Sequence, residues 1–209
     1  MRTPRGYFEG WYLLGATSLV MAALALWLAS MRGFEVEGVR MVVRYTARTS
    51  LLFFCLAFSA SALLRLWASA FTRWQLRNRR YLGLSFAVSH LIHLIAIVCF
   101  AVMAPPLFAE ATSPASFVFG GIGYALIIAM AATSFDRTAR AIGPRAWRIL
   151  HTSGVYYLWF QFMISFGKRI PAMPSYAWFL LPLIAVMALR VAAATRGREN
   201  RKWRIASSE

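Results

Sequence analysis

Apolar residues fall into six blocks along the chain, separated by short polar or basic stretches. Each block is about 18–24 residues long, and a helix that crosses a bilayer takes about 20. The blocks cover about 11–30, 50–67, 81–103, 116–134, 147–166 and 176–194. Pro105-Pro106 closes the third block. Gly143-Pro144 precedes the fifth, where proline suits the first turn of a helix because its missing N–H has no partner to lose. Pro171 and Pro174 mark the connection before the sixth. The pattern predicts an all-α, polytopic membrane protein: one six-helix bundle over residues 1–209. The first block is read as a span, with no A-x-A-like cleavage site after it. Between the first two blocks, Phe34 to Tyr45 mixes Val36, Val39 and Val42 with Glu35, Glu37, Arg40 and Arg44. It is too polar to span, and an amphipathic segment on the outer surface is expected.

Composition agrees with this picture. The chain is 60% apolar and only 14% charged, against roughly 25% charged in ordinary soluble domains. The net charge of +16 would suit a nucleic-acid-binding protein, but its distribution does not. Of the 23 Lys and Arg, 17 fall at the N-terminus, in the second-to-third and fourth-to-fifth connections, and in the tail. The other connections hold six: Arg32, Arg40, Arg44, Arg48, Lys168 and Arg169. Cationic loops stay on the cytoplasmic side, so both termini are expected there, in contact with anionic lipid and with no nucleic acid as partner. The tail after Arg196 is expected to be solvated and mobile at its end. Cys55 and Cys99 lie inside apolar blocks without a CxxC pattern and read as packing residues.

Candidate chemistry centres on three histidines, all inside predicted spans: His90 and His93 on the third, His151 on the fifth. An ionisable residue at membrane depth is a functional candidate, although a lone histidine there also serves as an interhelical hydrogen-bonding group. His90 and His93 are i and i+3, on one helix face. With a histidine on a facing helix they would supply two axial ligands to a haem iron in an apolar slot. Zinc, the competing metal, usually takes three or four ligands with cysteine or carboxylate among them, and the third and fifth spans hold no Asp or Glu. Measured from Arg80, His90 lies about 15 Å along the helix and His93 about 20 Å, while His151 lies about 5 Å past Arg148 or about 9 Å past Arg145. Depth therefore matches His90 to His151 better. Gly120-Gly121-x-Gly123 sits in an apolar helix and reads as close packing, not as a phosphate loop. The aromatic run of the fifth span (Trp147, Tyr156, Tyr157, Trp159, Phe160) reads as bundle packing, with a haem-pocket wall or quinone slot as the sharper alternative.

Three stretches carry a family resemblance over roughly residues 37–166. Thr46-Ala47-Arg48-Thr49-Ser50-Leu51 with Arg65 resembles a T-G-R-T-A-L…R segment. Arg79-Arg80-Tyr81-Leu82-Gly83-Leu84 with His93-Leu94 resembles an R-R-x-L-G-L…H-L segment. Trp147-Arg148-Ile149-Leu150-His151 resembles a W-x-x-L-H segment. In this order they resemble the ferric reductase-like transmembrane superfamily, and within it the MsrQ family, haem-binding membrane subunits of bacterial periplasmic methionine sulfoxide reductase systems. The resemblance implies a b-type cytochrome of the bacterial inner membrane. Its electrons would come from quinol or a cytoplasmic flavin reductase and leave to a periplasmic redox partner, with quinone or FMN as accompanying cofactors. By position His93 and His151 match the family's haem histidines, and His90 is extra. The family's second histidine on the fifth span falls here on Ile164. One haem b is therefore expected, held by His151 with His93 (by alignment) or His90 (by depth). Arg48, Arg79, Arg80, Arg145 and Arg148 are the candidate partners for its propionates.

The tail after the sixth span is too short for a flavin or nicotinamide domain, so electrons are expected from outside the chain. The rival readings are a haem-free or haem-sensing membrane scaffold, to which loss of the histidine at Ile164 points, and a small transporter, against which the absence of repeated broken helices speaks.

Overall fold

The computed structural model describes residues 8–206, with side chains described through Gly197. Eight α-helices follow in order: α1 Trp11–Ser30, α2 Val36–Leu66, α3 Ala70–Arg77, α4 Arg79–Met103, α5 Pro105–Ala111, α6 Pro114–Ala132, α7 Asp136–Gly167 and α8 Leu180–Ala206. A 3-10 turn over Pro174–Phe179 leads into α8, and no strand occurs among the described residues. Arg2 and Arg5, and the side chains of Arg198, Arg201, Lys202 and Arg204, all counted in the basic side, lie outside what is described. The tail, expected to be mobile at its end, continues α8 as helix to Ala206.

The local sequence sets the breaks. Ser69 caps α3 in a reciprocal capping box with Thr72. Ser113 caps α6 just before Pro114, and prolines likewise start α5. Gly143 adopts φ 78°, ψ 162° inside α7, a region open essentially to glycine. Together with Pro144 it kinks the helix and separates the basic stretch 136–142 from the stretch that carries His151.

Among the described residues five helical segments are long and apolar enough to cross a membrane: Trp11–Ser30, Val36–Leu66, Arg79–Met103, Pro114–Ala132 and Pro174–Gly197. The block expected as the fifth of six spans is the second half of α7. It is helical but less apolar, because His151, Thr152, Ser153, Gln161 and Ser165 interrupt it. A second difference concerns 34–45. From Val36 onward this segment does not lie on the surface as a separate element; it is the first three turns of α2. Gly38 explains why it stands upright. A Cβ there would fall 2.8 Å from the Ala29 carbonyl oxygen, so glycine lets α2 lie directly on α1, and Val42 closes a small cluster with Ala25, Ala29 and Ala96.

The α2–α4 pair forms the centre of the bundle. Its seam is polar: Thr49 and Ser50 each bond the Ser89 hydroxyl at 2.8 Å, and Ser89 donates to the Thr46 carbonyl. Such bonds average about 0.6 kcal/mol each inside a bilayer, so the ladder specifies register more than it adds stability. Below it the core is aromatic, with Phe54 packed against Phe58, Phe86 and Phe162.

One end of the bundle gathers the basic connections. Arg77 pairs with Glu9, Arg80 with Asp136, and Arg65 donates to the Ala193 carbonyl. Buried Gln75 bonds the Leu56 carbonyl and Ser59, and buried Asn78 accepts from the Gly10 amide. The sequence-level grouping of the second-to-third and fourth-to-fifth connections with the start of α8's basic tail is thus a spatial one. At the opposite end Lys168 reaches Ser116.

Candidate functional site

A cavity of about 420 Å³ opens at the basic end, between α2, α4, α6 and α7. Its walls are apolar (Phe54, Phe58, Phe86, Ile127, Leu158), and Arg77, Arg79 and Arg80 also line it. His151 projects from α7 into this lining, and Gly83 on α4 leaves open space where another residue would place a side chain. An apolar slot with a few cations and one imidazole fits a flat, apolar ligand that carries acidic groups at one edge. A shallower apolar groove of about 530 Å³ between α7 and α8 offers only thioethers as donor atoms.

The His151 ring is held by its neighbours. Trp147 stacks on it at 4.3 Å between centroids, and the Trp147 indole donates to the Thr133 carbonyl. The Thr133 hydroxyl lies 3.0 Å from His151 Nε2 and 2.7 Å from the Ala129 carbonyl oxygen. A hydroxyl has one proton, and the carbonyl can only accept it. Thr133 therefore accepts from Nε2–H, which leaves the Nδ1 lone pair of His151 free to ligate.

The same logic applies to His93. The Thr46 hydroxyl, wholly buried, donates to the Val42 carbonyl at 2.7 Å and stands 2.8 Å from His93 Nδ1. His93 is thus the Nδ1–H tautomer with Nε2 free, an imidazole oriented as metal-binding histidines usually are. His90 differs: its Nδ1 is buried without a partner, as is the Tyr124 hydroxyl, and the two rings are 5.7 Å apart.

The structure does not bring His151 to either α4 histidine. His90 packs edge-on against Phe162 at 5.8 Å, and Phe162 is eleven residues beyond His151, about 16 Å along the helix. One iron cannot accept ligands from both levels. The depth match between His90 and His151 does not hold, since His90 lies at the level of Phe162, about three turns beyond His151 on α7. Ile164 is 45% exposed. Thirteen residues at about 100° each turn it about 140° from His151, while Phe162 stays within about 20°.

Of the six expected site residues, the cavity therefore unites His151 and Arg80. His90 and His93 sit together at another level. Arg48 is placed over the Phe179 ring at 5.2 Å, and Arg148 is exposed. Thr133 and Thr46 were not among the expected site residues; Thr46 opens the Thr46–Leu51 stretch that carries the family resemblance, but only the fold pairs either threonine with a histidine. No group of three or more His, Cys, Asp or Glu side chains capable of holding a bare metal ion occurs among the described residues.

The family model described as ferric reductase like transmembrane component matches residues 44–163, more than half of the chain. No curated protein and no solved structure matches it.

Proposed function

The chain belongs to the ferric reductase like transmembrane component family, and from that premise we propose that it is an MsrQ-like b-type cytochrome of the bacterial inner membrane. In this reading the second half of α7 also crosses, as the fifth of six membrane crossings, and both termini are cytoplasmic. Electrons enter from quinol or a cytoplasmic flavin reductase and leave to an acceptor on the outer side. The basic end of the bundle is then the cytoplasmic end, in keeping with the 17 to 6 distribution of Lys and Arg.

The observation that carries the proposal is the cavity beside His151. Its residues fit a haem: a free Nδ1 lone pair, apolar and aromatic walls, and Arg79 and Arg80 toward the edge for two carboxylates. When bound, haem supplies a one-electron carrier whose potential the protein sets. Thr133 and Trp147 fix the imidazole plane. Phe54, Phe58 and Phe86 exclude water from the ring face. Arg80 is held in place by its ion pair with Asp136 at 2.9 Å. His151 and Met130 are the lining residues with iron-ligating atoms, and the Met130 sulfur rests against Gly154, one turn from His151. The α4 wall presents no ligand there, so we assign one haem with His151 as its single histidine ligand. His93 and His90 constitute a separate outer site without a partner on α7.

A reduced-minus-oxidised absorption spectrum of the detergent-purified protein, with haem quantified per chain, tests this. About one b haem per chain is expected. No haem, from cells with ample haem supply, would overturn the proposal in favour of the scaffold reading.

A further inference from the structure

The outer level holds a cluster that the His151 cavity does not account for. His90 and His93 stand one turn apart near the middle of α4, with ring centroids 5.7 Å apart. Tyr124 approaches from α6, its ring 5.7 Å from that of His90. These are two imidazoles and a phenol at membrane depth, where an ionisable residue marks a functional candidate.

Each of the three has an uncommitted polar atom. His90 Nδ1 and the Tyr124 hydroxyl are buried with no hydrogen-bond partner. A buried polar atom left unpaired is costly, and two such atoms on neighbouring rings of different helices call for one group that serves both. His93 is set from behind. Its Nδ1–H goes to Thr46, whose own proton goes to the Val42 carbonyl, so the His93 lone pair is on Nε2. Phe86 and Phe162 pack on the His90 ring at 4.6 and 5.8 Å and make its surroundings apolar.

The spacing fits a single ion between the two imidazoles. A ring nitrogen lies about 1.1 Å from its ring centre and about 2.0 Å from a bound first-row metal, so two rings that share one ion have centres about 5–6 Å apart. The observed 5.7 Å falls in that range. The third donor is a phenol, so the cluster is not a set of three His, Cys, Asp or Glu. The donor set also selects the ion. Zinc is normally held by three or four thiolate, imidazole or carboxylate ligands, and only two are of that kind here. Imidazole suits copper, which heads the affinity order of first-row metals. Copper(I) is satisfied by two nitrogen ligands, and a single charge is the least costly to hold among apolar rings.

We propose that His90 and His93 bind one copper(I) ion between α4 and α6, with the Tyr124 hydroxyl as a weak third donor. The site is separate from the cavity beside His151 and does not depend on a haem there. A bridging water would serve His90 and Tyr124 alone; the ion also uses the lone pair that Thr46 leaves on His93 Nε2.

The test uses full-length, copper-stripped protein in detergent, with any affinity tag removed, titrated under reducing conditions against the coloured copper(I) complex of bicinchoninate. Wild type is expected to take one copper per chain from the chelator, and His151→Ala should do the same. Thr46→Val, which removes only the partner of His93, should weaken uptake about tenfold, and His90→Ala and His93→Ala should each weaken it further. X-ray absorption by the loaded wild type should show scattering from two imidazole rings, which tests the site even if both alanine variants misfold. Wild type that takes no copper would overturn the proposal and leave water as the bridging group. Uptake unchanged in the His90→Ala/His93→Ala double variant would also overturn it. So would sulfur scattering, which would place the ion on Met163 and Met187 in the α7–α8 groove. Haem absorbance lost from His93→Ala and kept in His151→Ala would overturn it too, because the ring would then belong to a haem.

Discussion

Two levels of the α4–α7 contact use similar helices and similar residues yet differ in what they can hold. At the basic end a histidine on α7 faces a cavity lined by three arginines, and α4 opposes it with Gly83. About three turns further along, the histidines are on α4, and α7 opposes them with the packed ring of Phe162. The first level has one ligand and space. The second has two histidines with a packed ring against them. Ligand identity alone does not make a haem site; the opposing wall must be open or must ligate.

The strongest way to break this comparison is to delete the histidines one at a time. His151→Ala should remove essentially all haem absorbance, while His90→Ala and His93→Ala should keep most of it. Haem lost in His93→Ala and kept in His151→Ala would reverse the assignment of levels. With a single histidine ligand, the reduced protein should also bind carbon monoxide.

The two threonines sharpen the contrast. Thr133→Val removes the bond that orients His151, and loss of such a partner typically weakens metal binding about 10–100-fold. Thr46→Val acts on His93 and should leave haem affinity unchanged. Equal effects in a haem titration of the two variants would contradict a single inner haem.

A smaller effect is expected at the outer level. A buried hydroxyl left without a partner costs about 1–3 kcal/mol. Tyr124→Phe should therefore be neutral or raise the thermal midpoint in detergent. A clear loss of stability would reveal that Tyr124 and His90 share a bridging group. The smallest effect belongs to Ile164→His: since the side chain points away from the His151 face, haem per chain should not rise. A second haem band in that variant would show that α7 can turn this face inward.

Much of the architecture was legible along the chain. The long apolar runs place α1, α4, α6 and the start of α8 within a few residues, and Pro105-Pro106 marks where α4 ends. The identity of His151 as a candidate also came from the sequence. What did not come through is whatever depends on a contact between distant residues. Gly38 reads as an ordinary glycine until Ala29 lies against it, and so 34–45 looked like a surface piece. Thr133 looks like an unremarkable helix position, and Thr46 like one letter of a motif, until a histidine reaches each. Pairing His151 with the α4 histidines failed for a similar reason: counting along each helix assumes that the flanking arginines share one level, and only the contact of His90 with Phe162 shows how the two helices are set against each other.

The modest apolarity of α7 has a consequence for how the protein is made. A helix that carries histidine, glutamine and several hydroxyl residues has a weak drive to leave water by itself, and the partners that cover its polar side lie on both sides of it in the chain. Trp159 donates its indole proton to the Leu183 carbonyl of α8, and Tyr157 donates to the Phe119 carbonyl of α6. α6 emerges from the ribosome before α7, but α8 emerges after it. The helix that bears His151 therefore reaches its final setting only once the last hydrophobic segment has been synthesised. Chains arrested before residue 180 should hold α7 loosely at the membrane surface, and the site would come into being as the closing event of biosynthesis.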